Sequence, residues 1–208
     1  MNGKTGRRLR TVLFMAIATL VSVSAVSAVY LGTRERIQRN ENLYRQRAIM
    51  RAAGLSVPAG DRQAAELFSR CAQKVAPAAG ATPYYLVRDP DTRRLKAYVL
   101  PSQAPGLWGR ISAVVGFAPD LKTLTGLEFT YQNETPGLGG KITEPRFKNQ
   151  FGGKRGPFAL RGGGKPDRTE VEAVTGATIS TRAVLQLLNS AVERAGKDVR
   201  PVAKGGDR

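Results

Sequence analysis

Three hydrophobic patterns follow one another along the chain. From Val12 to Leu31, VLFMAIATLVSVSAVSAVYL, twenty residues pass without a charge, the length a helix needs to cross a hydrocarbon core. The run is apolar on every face, so it reads as a spanning helix and not as one side of a soluble one. From Arg34 to Leu55, Ile37, Leu43, Ile49 and Met50 are dispersed among charges, which predicts a continuation helix closed by Gly54. A further helix is predicted near Asp61 to Val75, with Ala64, Ala65, Leu67, Phe68, Cys71 and Ala72 along one face. The period then changes. YYLV from Tyr84, LKAYVL from Leu95, ISAVVGFA from Ile111 and LTGLEFTYQ from Leu124 are β-branched or aromatic runs with short turn-rich connections, the mark of antiparallel hairpins. The helical period returns at Val184, Leu187, Leu188, Ala191 and Val192, one face of an amphipathic helix expected to begin near Ser180 and close at Gly196. Between them, Phe151 to Arg168 (FGGKRGPFALRGGGKPDR) reads as a solvated flexible loop, and the polar tail after Gly196 as disordered. The expected fold is α+β, a transmembrane helix followed by an antiparallel sheet with flanking helices.

Charge orients the first helix. The net charge is +17, and residues 1 to 51 carry ten Lys/Arg against Glu35 and Glu41, so about half the excess flanks the apolar segment. Lys4, Arg7, Arg8 and Arg10 precede it, which by the positive-inside rule leaves the N-terminus in the cytoplasm and everything after Leu31 outside. Val26-Ser27-Ala28 also offers a small-residue cleavage site, so a cleaved signal peptide is the competing reading. The remaining positive charges are scattered, lack aromatic interleaving and match no nucleic-acid-binding signature. The bilayer is the expected partner, and nucleic acid is not.

The inventory narrows the chemistry. The chain has no histidine and one cysteine, Cys71. That excludes an internal disulfide, a Cys/His zinc site, a histidine-ligated haem and a Ser-His-Asp triad. Cys71 fits a helix face as a small buried hydrophobe, and no metal site is expected. Glu134 has no second acid at a spacing that would support a hydrolase. Gly164-Lys165 and Gly140-Lys141 fail as phosphate-binding loops, because Pro166 and Ile142 stand where Ser or Thr is needed.

Two loops remain. VTGATISTR, Val174 to Arg182, sets the hydroxyls of Thr175, Thr178, Ser180 and Thr181 around Gly176 at the start of the last helix. One such hydroxyl suffices to cap first-turn N–H groups, with Thr175 or Ser180 the expected holder. The same N–H groups and dipole also favour a phosphate. YQNETPGLGGKI, Tyr131 to Ile142, places Glu134 ahead of Pro136-Gly137 and Gly139-Gly140, residues of tight turns or of a backbone approached closely by something else.

Together, ETPGLGGKI (Glu134 to Ile142) followed by EAVTGATIST (Glu172 to Thr181), with GLWG (Gly106 to Gly109) upstream and an N-terminal anchor, resembles the FMN-binding domain found in the C subunit of the sodium-translocating NADH:quinone oxidoreductase and in the related G subunit of the Rnf complex. GLWG is closer to the former; Thr175 and the short chain lean towards the latter. The resemblance covers residues 95 to 195 and the anchor by architecture. It implies covalent FMN, joined through a phosphoester to Thr178 by a separate flavin transferase, with Thr175, Gly176 and Ala177 completing the acceptor motif. It also implies that Glu134, Thr135, Gly137, Leu138 and Gly139 lie by the flavin ring, with Trp108 a neighbour. Gly137, Gly139 and Gly140 would let backbone N–H groups reach the flavin's polar edge. The segments become a cytoplasmic basic end (1–11), a transmembrane helix (12–31), a juxtamembrane helical region (32–80), an FMN-binding domain (81–196) and a polar tail (197–208). Expected partners are the other membrane subunits of a redox-driven ion pump in a bacterial inner membrane, with the flavin domain periplasmic and no substrate pocket or catalytic residue of its own. A stand-alone exported FMN carrier, or a membrane-tethered binding domain in which Thr178 is only a cap, are the alternatives. Two residues depart from the family pattern: Glu172 stands in place of Asp, and Gln132 in place of a common His.

Overall fold

A computed structural model of the chain describes residues 3–77, 82–162 and 169–201. It divides into two units, residues 1–42 and 43–208. The first unit is helical throughout its described part, within α1 (Gly3–Ala52). Its stretch from Val12 to Leu31 is exposed on all sides, and among the described residues this is the one helix long and apolar enough to cross a membrane. The two helices expected before residue 55 are one. The junction holds no proline, Gly32 costs a helix only about 1 kcal/mol, and the Thr33 hydroxyl donates back to the Val29 carbonyl at 2.8 Å.

The second unit begins with the last turns of α1, which end at Gly54 with φ +75°, as expected. Helix α2 (Asp61–Cys71) follows, then β1 (Ala72–Val75). The sequence periodicity carries this helix to Val75. The chain instead turns extended at Ala72, where Gln73 comes to pair with Leu86, and sheet pairing overrides four residues of local preference. Strands β2 (Tyr84–Arg88), β3 (Leu95–Pro105), β4 (Arg110–Phe117) and β5 (Leu124–Tyr131) complete a five-stranded antiparallel sheet in the order β1-β2-β3-β4-β5. Beyond it lie α3 (Pro145–Lys148), the two-residue strands β6 (Ala159–Leu160) and β7 (Glu170–Val171), and α4 (Thr178–Lys197).

Both faces of the sheet are covered, which is why β3 reads as a nearly unbroken apolar run. Tyr98, Leu100, Val115, Phe117 and Phe129 meet Val184, Leu187, Leu188 and Ala191 of α4 on one face. Ala97, Val99 and Val114 meet Ile49, Ala52 and Cys71 on the other. Here α1 lies close enough that Gly116 and Gly126 face the backbone of Ala52, and Thr125 donates its hydroxyl to the Ala52 carbonyl at 2.6 Å. Truncating Leu187 or Leu188 to Ala would cost about 2–5 kcal/mol.

The expected flexible loop from Phe151 is largely ordered packing. Phe151 is fully buried between the rings of Phe147 and Phe158, at centroid distances of 5.4 and 5.6 Å. Asn189 of α4 clamps the Phe158 backbone, accepting its N–H at 2.7 Å and donating to its carbonyl at 2.9 Å. Aromatic anchors outweigh the surrounding glycines. The rest of that loop, residues 163–168, lies outside the described residues, as does tail segment 202–208. The tail does not depart at Gly196, because α4 runs to Lys197 and Val199 is buried in the core.

Candidate functional site

The turn after β3 and the turn after β5 emerge at the same end of the sheet, and Glu134 joins both to the start of α4. Its carboxylate is 5% exposed. Oε1 accepts the backbone N–H groups of Leu107 at 2.9 Å and Trp108 at 3.2 Å, and Oε2 accepts a short hydrogen bond from the Ser180 hydroxyl. The Glu134 N–H donates to Oε1 of Gln132 at 2.7 Å, so Gln132 shapes the turn. Hydrogen bonds to an ionised carboxylate contribute about 1.5–3 kcal/mol each.

Two glycines are set by this junction. A Cβ on Gly106 would stand 2.5 Å from Glu134 Oε1, and one on Gly139 would stand 2.6 Å from Ser180 Oγ. Gly139 is therefore packed against Glu134 and Ser180, with no room for a side chain. The N–H groups of Leu138 and Gly140 are likewise engaged, by the Thr135 carbonyl at 3.1 and 2.9 Å. Of the three glycines expected to let backbone N–H groups reach a ligand, Gly140 has its own N–H engaged within the turn. Gly137 and Gly176 do sit in the left-handed region, each at φ +76°, where a side chain would strain the turn.

The four hydroxyls at the head of α4 separate into two pairs. Ser180 and Thr181 are buried, at 2% and 0% exposure. Ser180 is bound to Glu134, while Thr181 accepts the Val174 N–H at 3.1 Å and donates to the Ala177 carbonyl at 2.9 Å. Thr175 and Thr178 are exposed. No side chain caps the helix at Ala177, which corrects the expectation that Thr175 or Ser180 would. The N–H groups of Thr178, Ile179 and Ser180 consequently have no hydrogen-bond partner among the described residues. They form an open donor set at the positive end of a 20-residue helix.

A cavity of about 340 Å³ opens at this end, walled by Leu107, Leu138 and Ile179 and by polar Glu134, Thr135, Thr178 and Ser180, with Gly139, Gly176 and Ala177 completing it. Leu107, Leu138 and Ile179 are all about half exposed, and neighbouring Trp108 is 65% exposed. Among the candidate residues, Thr178, Gly176, Ala177, Glu134, Thr135, Leu138 and Gly139 line this cavity; Thr175, Gly137 and Trp108 do not. Sequence reasoning missed Leu107, Ile179 and Ser180. Ile179 carried a signal, being an apolar residue out of phase with the stripe at Val184, Leu187 and Leu188. Glu172, where the family pattern has Asp, is exposed and paired with Arg161 at 3.0 Å, and its backbone N–H is held by Gln150 at 2.8 Å.

The residues that form this site coincide with a known domain: residues 106–193 match the family model for the FMN-binding domain. Over that segment the chain is similar to the FMN-binding domain family. The C subunit of the Na(+)-translocating NADH-quinone reductase of Neisseria meningitidis is 34% identical over 50% of this chain and 43% of its own length. The G subunit of the ion-translocating oxidoreductase complex of Methanosarcina acetivorans is 39% identical over 46% of this chain and 50% of its own length. The chain thus spans about half the length of the curated relatives it matches. The crystal structure of Shewanella oneidensis NqrC superposes with a TM-score of 0.63 at 23% identity, covering 77% of this chain and 99% of that one, so the fold is shared.

The geometry of this segment suits the ligand that the matched family is named for. An open helix N-terminus supplies donors for a phosphate, and the Leu107, Leu138 and Ile179 walls suit a planar aromatic ring. The half-exposed Leu107, Leu138 and Ile179 leave the cavity open to solvent.

Proposed function

We propose that this chain is a membrane-anchored electron-transfer subunit of an ion-translocating redox complex, and that it carries FMN through a phosphoester on the Thr178 oxygen. The observation that carries the reading is the division of the hydroxyls. Ser180 and Thr181 are committed to the fold, whereas Thr178 is exposed, lines the cavity and begins an uncapped helix. Thr175 is equally exposed but stands off the cavity wall. Bound FMN would supply electron transfer in one- or two-electron steps. The chain's own part is to hold the phosphate against the amides of Thr178, Ile179 and Ser180, to flank the ring with Leu107, Leu138 and Ile179, and to keep the ring open to a redox partner. No group here is placed to act on a separate substrate.

Attachment requires a flavin transferase, and the partners are the remaining subunits of the complex. The relatives' names include both sodium- and proton-translocating systems, so the coupled ion is no part of the proposal. The basic residues ahead of the apolar segment support an orientation with the N-terminus in the cytoplasm and the flavin domain in the periplasm of a bacterial inner membrane. Protease added to intact spheroplasts should then digest the domain, and its survival until lysis would reverse the orientation. The flavin itself is tested by expressing the chain in a host that has the transferase and viewing a denaturing gel under ultraviolet light. A fluorescent wild-type band that is lost in Thr178→Ala and kept in Thr175→Ala supports the proposal; a dark wild-type band rejects it.

A further inference from the structure

A second and larger cleft, of about 430 Å³, lies in the residue 43–208 unit and takes no part in the flavin site. It lies beside the part of β3 beyond β2. The last β3 residue that β2 covers is Val99, opposite Tyr85, while β3 continues to Pro105, paired among the described residues with β4 alone. The bared segment carries Pro101 and Pro105, which have no N–H, so the notch is a poor template for an added strand. What lines it instead is positive charge. Arg45 from α1, Arg110 from the start of β4 and Arg194 from α4 all border the cleft, and no carboxylate does.

These arginines are not used up by the fold. Arg45 and Arg110 are exposed, and their side chains have no hydrogen bond or ion pair among the described residues. Arg194 donates one terminal N–H to the Pro101 carbonyl at 2.8 Å. Its Nε stands 3.5 Å from Asp198 and is buried without a hydrogen-bond partner. Like charges gathered on one cleft repel, and guanidinium forks match the geometry of phosphate oxygens. Ser112, Thr130 and Ser190 border the same space and add neutral hydroxyl donors. Three cations offset by one peripheral carboxylate suit a dianion better than a single carboxylate. We propose that this cleft is a binding site for a phosphate-bearing anion, either a free phosphate compound or a lipid phosphate headgroup, independent of the flavin.

The test titrates the full chain in non-ionic detergent, by calorimetry at roughly 0.1 M salt, where charges more than about 10 Å apart are screened. One arm uses inorganic pyrophosphate and the other a short-chain phosphatidic acid below its micelle concentration. Saturable binding in either arm is expected, and the arm that binds names the source. Arg45→Ala and Arg110→Ala, exposed positions whose loss should leave thermal melting unchanged, should each weaken binding about tenfold, or about 1.4 kcal/mol. Arg62→Ala removes an exposed arginine of α2 that lies off the cleft, and should leave it unaltered. Absence of saturable heat in both arms overturns the site. So does an Arg62→Ala loss equal to that of Arg45→Ala, which would reduce the effect to net charge.

Discussion

The two ends of α4 are built in opposite ways. At the C-terminal end Lys197 pairs with Glu193 at 2.5 Å, the Asp198 N–H closes on the Arg194 carbonyl at 2.8 Å, and Val199 is buried just beyond. Helix and core finish each other there. At the N-terminal end no side chain caps the first turn. That end is held by Glu134 through Ser180 and by Thr181 through Val174, while three amides and the Thr178 hydroxyl are left open. The difference shows how one helix serves two purposes. Bonds that fix its position come from residues one turn in or from another loop, so the terminal residue is free to carry chemistry.

If that division is right, substitutions at the open end should separate function from stability. The largest effect is expected from Thr178→Ala, which should abolish covalent flavin, seen by in-gel fluorescence, and change unfolding free energy by no more than about 0.5 kcal/mol, as for an ordinary surface substitution. A Thr178→Ala protein that melts far lower would mean that the threonine is structural after all. Glu134→Ala should do the converse. It strands the donors of Leu107, Trp108 and Ser180, and with about 1–3 kcal/mol per unsatisfied buried donor, partly offset by entering water, a loss of roughly 3 kcal/mol is expected in urea melts, along with poorer flavin incorporation. Glu134→Gln keeps an acceptor for the two amides and should lose less than half as much; an equal loss would assign the role to charge. Gly139→Ala pushes a methyl against Ser180 Oγ, and overpacking of this kind costs about 1–3 kcal/mol. The smallest effect belongs to the closed end. Lys197→Ala removes an exposed i,i+4 pair, weak because solvent screens it, and should barely move the melting temperature while leaving flavin content untouched.

Much of the fold is legible in the sequence because it rests on period. The runs at Tyr84, Leu95, Ile111 and Leu124 became β2 to β5, and the stripe at Val184, Leu187, Leu188 and Ala191 became the buried face of α4. What escaped was decided by distant partners. Ala72 to Val75 is a strand only because β2 lies beside it, and Phe151 is core only because Phe147, Phe158 and Asn189 enclose its loop. At the site, the family resemblance carried by the two loops singled out Thr178 and Glu134, where spacing alone favoured a helix cap and a turn. It could not show that Glu134 also ties the two turns to α4, because that depends on Leu107, Trp108 and Ser180, which stand 26 to 46 residues away.

The decisive measurement is the mass of the peptide from Thr169 to Arg182, released by trypsin from protein made beside a flavin transferase. It should be heavier by one FMN less one water, with fragment ions assigning the added mass to Thr178. An unmodified peptide, or the same mass carried by Thr175, Ser180 or Thr181, would contradict the assignment.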